Sequence, residues 1–271
     1  MRQRSHRAIG VFDSGVGGLT VVKALMESLP HESTVYLGDT ARVPYGTKSA
    51  EVVTQYSLRN AALLIEQDIK LLVIACNTAS AVALPRLAQN LDVPVVGVIE
   101  PGALAAAKLS SSGRIGVIGT PGTIRSGAYQ RALERARPGV AVTVQSCPLF
   151  VPLAEEGWVD GEVPLLIARR YLAELASSGV DTLVLGCTHY PLLREVIRQV
   201  MGDETRLVDS AASTAEMVAL LLRSSDQLAI NREPIHRYLV TDSPGSFVAV
   251  AARFLGKPLL AAEQVDVPFE H

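Results

Sequence analysis

Two apolar runs in this chain end alike. Residues 71–75 lead into Cys76, Asn77 and Thr78, and residues 182–186 lead into Cys187, Thr188 and His189. Each run has the length and unbroken apolarity of a strand covered on both faces. A second pair of runs echoes this one. Residues 8–12 precede Asp13, Ser14 and Gly15, residues 114–118 precede Gly119, Thr120 and Pro121, and a helical stretch follows each, ending in Ala-Leu at Leu25 and Leu133. The opening strand stands a similar distance before the Cys strand in both cases. The chain therefore reads as two related α/β units, because two kinds of element match in the same order.

The remaining pattern fills in the units. Leu19, Val22, Leu25, Met26 and Leu29 recur at helical spacing, and Pro30 closes that helix. A short strand is expected over 35–37, then a helix introduced by Ser49 with an apolar stripe of Val52, Tyr56, Leu63 and Leu64. After the first Cys strand come a helix through Ala83 and a strand over 95–99, with Glu100-Pro101-Gly102 as a hinge into the second unit. That unit continues with a strand over 140–145 and a helix over 164–175, with Pro164 near its start and Gly179 beyond its end. A short strand at 207–209 follows the second Cys strand. A polar surface loop over 224–234, a strand over 238–241 and a helix over 246–254 complete the chain. Strands alternating with helices of this length predict an α/β fold with mostly parallel sheets.

Composition narrows the class. Of 271 residues, 48% are hydrophobic and 19% charged, enough for a large packed core, and the formal net charge of -2 gives no case for nucleic acid. No run is long enough to span a membrane. The basic residues among the first seven read as a short disordered tail, since the apolar stretch after them is too short for a signal peptide. Three Cys, an odd number, and no secretory signal point to a reducing cytoplasm.

Four segments carry chemistry. Asp13-Ser14-Gly15-Val16-Gly17-Gly18 places small residues at a strand-to-helix turn, where backbone N–H groups can seat an anion. Thr20 stands where a dinucleotide fingerprint needs its last Gly, so a small carboxylate suits the turn better than a nucleotide. An N-cap turn without a ligand is the competing reading. Gly38-Asp39-Thr40 with Pro44-Tyr45-Gly46 reads as an ordinary loop. Asn77 and Thr78 supply neutral donors at a helix start, which favours a thiolate at Cys76, although a lone buried Cys is more often structural. The Cys187-Thr188-His189 spacing brings an imidazole toward a thiol for proton exchange. Zinc on Cys76, Cys187 and His189 is the weaker alternative, for want of a fourth ligand. Cys147 reads as packing, and Glu155 and Glu156 as a solvated turn before Gly157.

Taken together, Phe12 to Gly18, Gly38 to Gly46, Cys76-Asn77-Thr78-Ala79-Ser80, Cys147 to Leu153 with Glu155, and Gly186 to Pro191 resemble the glutamate racemases of the aspartate/glutamate racemase family. The resemblance runs from about Ile9 to Phe254 and shows no departure at the family's functional positions. It implies two pseudo-symmetric, doubly wound domains with the active site in the cleft between them. The first domain is 1–100, completed by 209–271, and the second is 101–208. It implies cofactor-independent, metal-free interconversion of L- and D-glutamate, supplying D-glutamate for peptidoglycan, by a cytoplasmic homodimer. Cys76 would act on the D-enantiomer, assisted by Asp13, and Cys187 on the L-enantiomer, assisted by His189, with Glu155 as an auxiliary. Asp13, Ser14, Tyr45, Gly46, Asn77, Thr78, Thr120, Thr188 and His189 would hold substrate. The second-domain turn Gly119-Thr120-Pro121 carries no carboxylate matching Asp13. Two other functions compete on the residues alone: a thiol hydrolase using Cys187 and His189, in which Cys76 is dispensable, and a two-lobed small-molecule binder without turnover. A thiol-redox pair of Cys76 and Cys187 is weaker still.

Overall fold

A computed structural model describes residues 6–267. In chain order the first half contains β1 (Ala8–Asp13), α1 (Leu19–Ser28), β2 (Thr34–Gly38), α2 (Ala50–Glu66), β3 (Ile69–Ile74), α3 (Asn77–Asn90) and β4 (Val95–Gly97). The second contains α4 (Ile99–Leu109), β5 (Arg114–Gly119), α5 (Pro121–Arg125), α6 (Ala128–Ala136), β6 (Ala141–Ser146), α7 (Phe150–Glu156), α8 (Glu162–Ser177), β7 (Thr182–Gly186), α9 (Arg194–Met201) and β8 (Arg206–Asp209). The chain ends with α10 (Ser210–Ser224), β9 (His236–Val240), α11 (Pro244–Leu255) and β10 (Glu263–Gln264).

The strands form two wholly parallel sheets, β10-β9-β2-β1-β3-β4 and β6-β5-β7-β8. The order β2-β1-β3-β4 in one repeats as β6-β5-β7-β8 in the other, so the duplication read from the strand ends extends to topology. In both sheets the chain begins at an inner strand, moves outward and returns on the other side. Such a switch point opens a crevice at the carboxyl ends of the strands, here those of β1 and β3 and of β5 and β7.

Strand periodicity of two explains why these runs are apolar throughout. In the first sheet Ile9, Val11, Leu71 and Val73 face α1, α10 and α11, while Phe12, Leu72 and Ile74 face α2 and α3. In the second, Ile118, Leu183 and Leu185 face α8 and α9, and Ile115, Val117 and Val184 face α4 and α6. Each side chain so buried contributes about 1.5–3 kcal/mol, so both strand ends are held by a core on either face.

Several expectations change. Glu100-Pro101-Gly102, the expected hinge, lies in the first turn of α4, where a proline costs no hydrogen bond. The buried face of α2 is Val53, Ser57, Asn60, Ala61 and Leu64, leaving Val52 and Tyr56 at its margin. Glu155 and Glu156 end a helix, α7, closed by Gly157 in the left-handed region at φ 78°, rather than lying in a turn. Of the expected N-terminal tail over residues 1–7, residues 1–5 lie outside the described residues, while Arg7 pairs with Asp68 at 3.0 Å. Among the described residues no helix is long and apolar enough to cross a membrane.

Candidate active site

The carboxyl ends of the inner strands carry the chemistry-bearing residues. β1 ends on Asp13, which is fully buried and accepts the Gly15 N–H at 3.1 Å. Burial raises its pKa, and the His189 charge and the N–H groups of Gly15, Gly18 and Ser14 pull it back. The turn must hug this carboxylate: a Cβ on Gly18 would lie 2.5 Å from Asp13 Cβ.

Cys76 follows β3 and caps α3, its sulfur accepting the Ala79 N–H at 3.5 Å and lying 3.7 Å from Ser14 Oγ. Burial, and then the Asp13 charge, push the Cys76 thiol up to about 12, against the opposing hydrogen bonds of Ala79 and Ser14. Cys76 therefore rests as a thiol, holding a proton.

Cys187 follows β7, the counterpart of β3. Its sulfur lies 3.8 Å from His189 Nδ1, which also meets Thr188 Oγ1 at 3.3 Å. The other ring nitrogen, Nε2, is 2.9 Å from Glu155 Oε1. Burial of His189 alone would lower its pKa, but Cys187, Glu155 and Asp13 carry it up to about 10. The ring rests as an imidazolium, the electrostatic partner a thiolate needs. Phe254 of α11 packs edge-on against it, ring centroids 5.1 Å apart. The Arg253 guanidinium donates to the Glu155 carbonyl, so α11 holds both partners of the pair.

The two halves close on each other here. A Cβ on Gly17 would fall 2.3 Å from Thr188 Oγ1 and 2.4 Å from His189 Nδ1, and one on Gly46 would fall 2.6 Å from Thr120 Cβ. Thr78 at the head of α3 and Thr120, the N-cap of α5, approach to 2.9 Å between hydroxyls, and Thr123 joins them at 3.2 and 3.0 Å. A cavity of about 310 Å³ opens at this junction, with Ser14, Gly46, Thr120, Glu155 and His189 among its walls. Cys76 and Cys187 are 5% and 7% exposed, and both are free thiols.

Most residues singled out in the sequence thus come together. Tyr45 differs. Its ring is buried, and its hydroxyl donates to Asp39 and accepts from Asn60 Nδ2 at 3.0 Å. What Tyr45 can offer a ligand is its backbone N–H, at the start of a 3₁₀ turn (Tyr45–Thr47) where that group has no partner within the turn. Asp39 is more than a loop residue: fully buried, it accepts from Arg42, Tyr45 and Thr241 and so fixes the loop that carries Gly46. Cys147 is packing, as its sequence context suggests, with its carbonyl accepting the Tyr190 hydroxyl at 2.8 Å. Asn77 is buried, its Oδ1 accepting the Tyr129 hydroxyl at 2.7 Å, while its Nδ2 has no partner among the described residues. Tyr129 gave no signal in the sequence, since it lies in an amphipathic stretch far from any motif. Among the described residues no group of three or more His, Cys, Asp or Glu side chains is disposed to hold a metal ion.

Known proteins share this fold and sequence. Residues 14–218 match the Asp/Glu/hydantoin racemase family. A glutamate racemase of Geobacter metallireducens is 59% identical over 265 residues, 97% of this chain and 98% of its own. Among solved structures, a glutamate racemase isoform from Bacillus anthracis superposes with a TM-score of 0.94 at 41% identity, covering 98% of this chain and 100% of the other. The Francisella tularensis glutamate racemase in complex with D-glutamate gives 0.91 at 39% identity, covering 97% and 98%. With the two-sheet fold and nearly full-length identity in agreement, the chain belongs to the glutamate racemases of the Asp/Glu/hydantoin racemase family.

Proposed function

We propose that this chain interconverts L- and D-glutamate by proton transfer at the α-carbon between Cys76 and Cys187. The observation that carries the reading is the matched pair of thiols. Each follows the equivalent strand of its sheet, each is nearly buried, and each has its own polar partner, Asp13 on one side and His189 on the other.

With L-glutamate, Cys187, partnered by His189, takes the α-proton from one face. The Cys76 thiol then delivers its proton to the opposite face, leaving D-glutamate, a Cys187 thiol and a Cys76 thiolate. The reverse reaction begins from that second state, and Asp13 assists the return of a proton to Cys76. The α-proton is very weakly acidic, so the carbanionic state must be stabilised where it forms. The neutral donors Asn77, Thr78, Thr120 and Thr188 and the turn at Ser14 supply that stabilisation for the carboxylates, beside two nearly buried thiols. His189 also binds substrate in this reading, as do Asp13 and the loop at Tyr45 and Gly46. We further assign residues 1–100 with 209–271 to one domain and 101–208 to the other, a cytoplasmic setting, a homodimer, and supply of D-glutamate to peptidoglycan as the role.

The test is incubation with L-glutamate in D₂O without added cofactor. Optical activity and the α-proton resonance are followed together. D-glutamate should appear carrying deuterium while recovered L-glutamate is still largely protiated. Cys76→Ala and Cys187→Ala should each abolish racemisation while melting like the parent protein. Full activity in Cys76→Ala would instead favour chemistry at Cys187 and His189 alone.

A further inference from the structure

We infer that Tyr129 is a positioning residue, holding the Asn77 amide so that its nitrogen is the group offered to substrate. The inference rests on the reading of Asn77 as a substrate donor. Tyr129 lies on α6 and is 1% exposed, so its hydroxyl is confined to protein partners. It donates to Asn77 Oδ1 at 2.7 Å, and Ser210, at the start of α10, stands beside it.

A phenol has one proton to give. That proton goes to Asn77, whose Oδ1 stands 2.7 Å away. Asn77 must then present its carbonyl to Tyr129 and turn its NH₂ the other way, which fixes an amide that otherwise has two near-isosteric orientations. The turned-away Nδ2 is buried and has no partner among the described residues, the condition of a donor kept for a ligand rather than one satisfied by the fold. Burial raises the Tyr129 pKa, so the hydroxyl keeps its proton throughout the working pH range.

The relay crosses the fold. It runs from α6, against the second sheet, to the residue beside Cys76 at the head of α3. Two glycines make room for it. A Cβ on Gly186 would lie 3.0 Å from Tyr129 Cε2, and one on Gly102 would lie 3.1 Å from Ser210 Cβ and 3.5 Å from the Tyr129 hydroxyl.

The test is a double-mutant cycle in the full-length protein. Tyr129→Phe keeps the ring and removes only the hydroxyl. It should lower kcat/KM for L-glutamate roughly tenfold, the order expected for a misoriented hydrogen-bond donor. Asn77→Ala should lower it at least as much. In the Asn77→Ala background, Tyr129→Phe should change kcat/KM by less than about twofold, because the group it orients is gone. A thermal melt of each variant separates folding from orientation. Should Asn77→Ala turn over too slowly to follow, the same cycle is read in the dissociation constant for D-glutamate. The inference is overturned if Tyr129→Phe has parental kcat/KM, if the two losses multiply, or if Asn77→Ala itself is without effect. Loss of racemisation by the parent protein would sink the functional reading instead, and the two failures are told apart by the parent control.

Discussion

Gly17→Ala isolates how tightly the two halves must close. Gly17 is not in the left-handed region, so alanine brings no backbone penalty of its own. The cost comes from across the cleft. The new methyl would stand 2.3 Å from Thr188 Oγ1, 2.4 Å from His189 Nδ1 and 2.5 Å from His189 Cε1, where ordinary contact begins at 3.4 Å. The shortfall is about 1.1 Å. His189 cannot absorb it by turning, because Nε2 is tied to Glu155 and Phe254 packs on its edge. The turn and the second half must therefore separate by about an ångström, at the residues that follow Cys187. A misplacement of that size costs on the order of 100-fold in rate. The assay is the decay of L-glutamate circular dichroism under saturating substrate, beside a thermal melt. Gly17→Ala should fold and lose about two decades of kcat. Gly245→Ala, where a Cβ meets nothing within 4 Å, should behave as the parent. Retention of activity within about threefold by Gly17→Ala would refute the claim that closure at this contact sets the catalytic geometry.

Other expectations are as direct. The His189 pKa is raised from 6.5 to about 10, so its contribution to stability is complete below the unfolded value and lost as pH rises through the folded one. The melting-temperature gap between the parent and His189→Asn should therefore narrow steadily from pH 6.5 to 10, and a gap that widens would contradict the imidazolium assignment. Glu155→Gln removes the charge facing Nε2; as the Glu155 side chain is 41% exposed, a loss of about tenfold in kcat/KM is expected, with the alkaline limb of the rate profile moved to lower pH. Lys70 and Glu32 form a buried pair at 2.6 Å, with Lys70 also donating to the Gln227 carbonyl at 2.8 Å. Lys70→Met should cost about 3–5 kcal/mol, a melting drop on the order of 10 °C, and Lys70→Met with Glu32→Leu should recover most of it by calorimetry.

What could be seen in the sequence was what local pattern encodes. The Cys-terminated strands were legible because both sheets are buried on both faces, which leaves an uninterrupted apolar run that stops where the crevice begins. Tertiary context decided the rest. Glu155 looked solvated because its partner, His189, is 34 residues away, and nothing local distinguishes a carboxylate facing water from one facing an imidazolium. Asp39 looked like a loop residue because Tyr45 and Thr241 meet it only after folding. No local pattern marks helix α10, although Asp209 caps it by accepting the Ala211 N–H at 3.2 Å; in the sequence Asp209 reads as the end of a strand, and it is both. Pro101 suggested a break because proline ends helices from within, while at the first turn it is at home.

The duplication is complete in topology and incomplete in chemistry: β1 ends on Asp13 where its counterpart β5 ends on Gly119. For a racemase this inequality has a thermodynamic limit. L- and D-glutamate are mirror images with equal free energies in water, so their equilibrium constant is unity and kcat/KM must be identical in the two directions. Unlike neighbours around the two thiols cannot make the enzyme better at one direction than the other at low substrate. They can only divide that shared quotient differently, so that the enantiomer held more tightly is also the one released and turned over more slowly. On the proposed two-thiol reading, Asp13 on one side and the His189–Glu155 pair on the other would set saturation behaviour, and leave the direction of net flux to the concentrations of the two enantiomers.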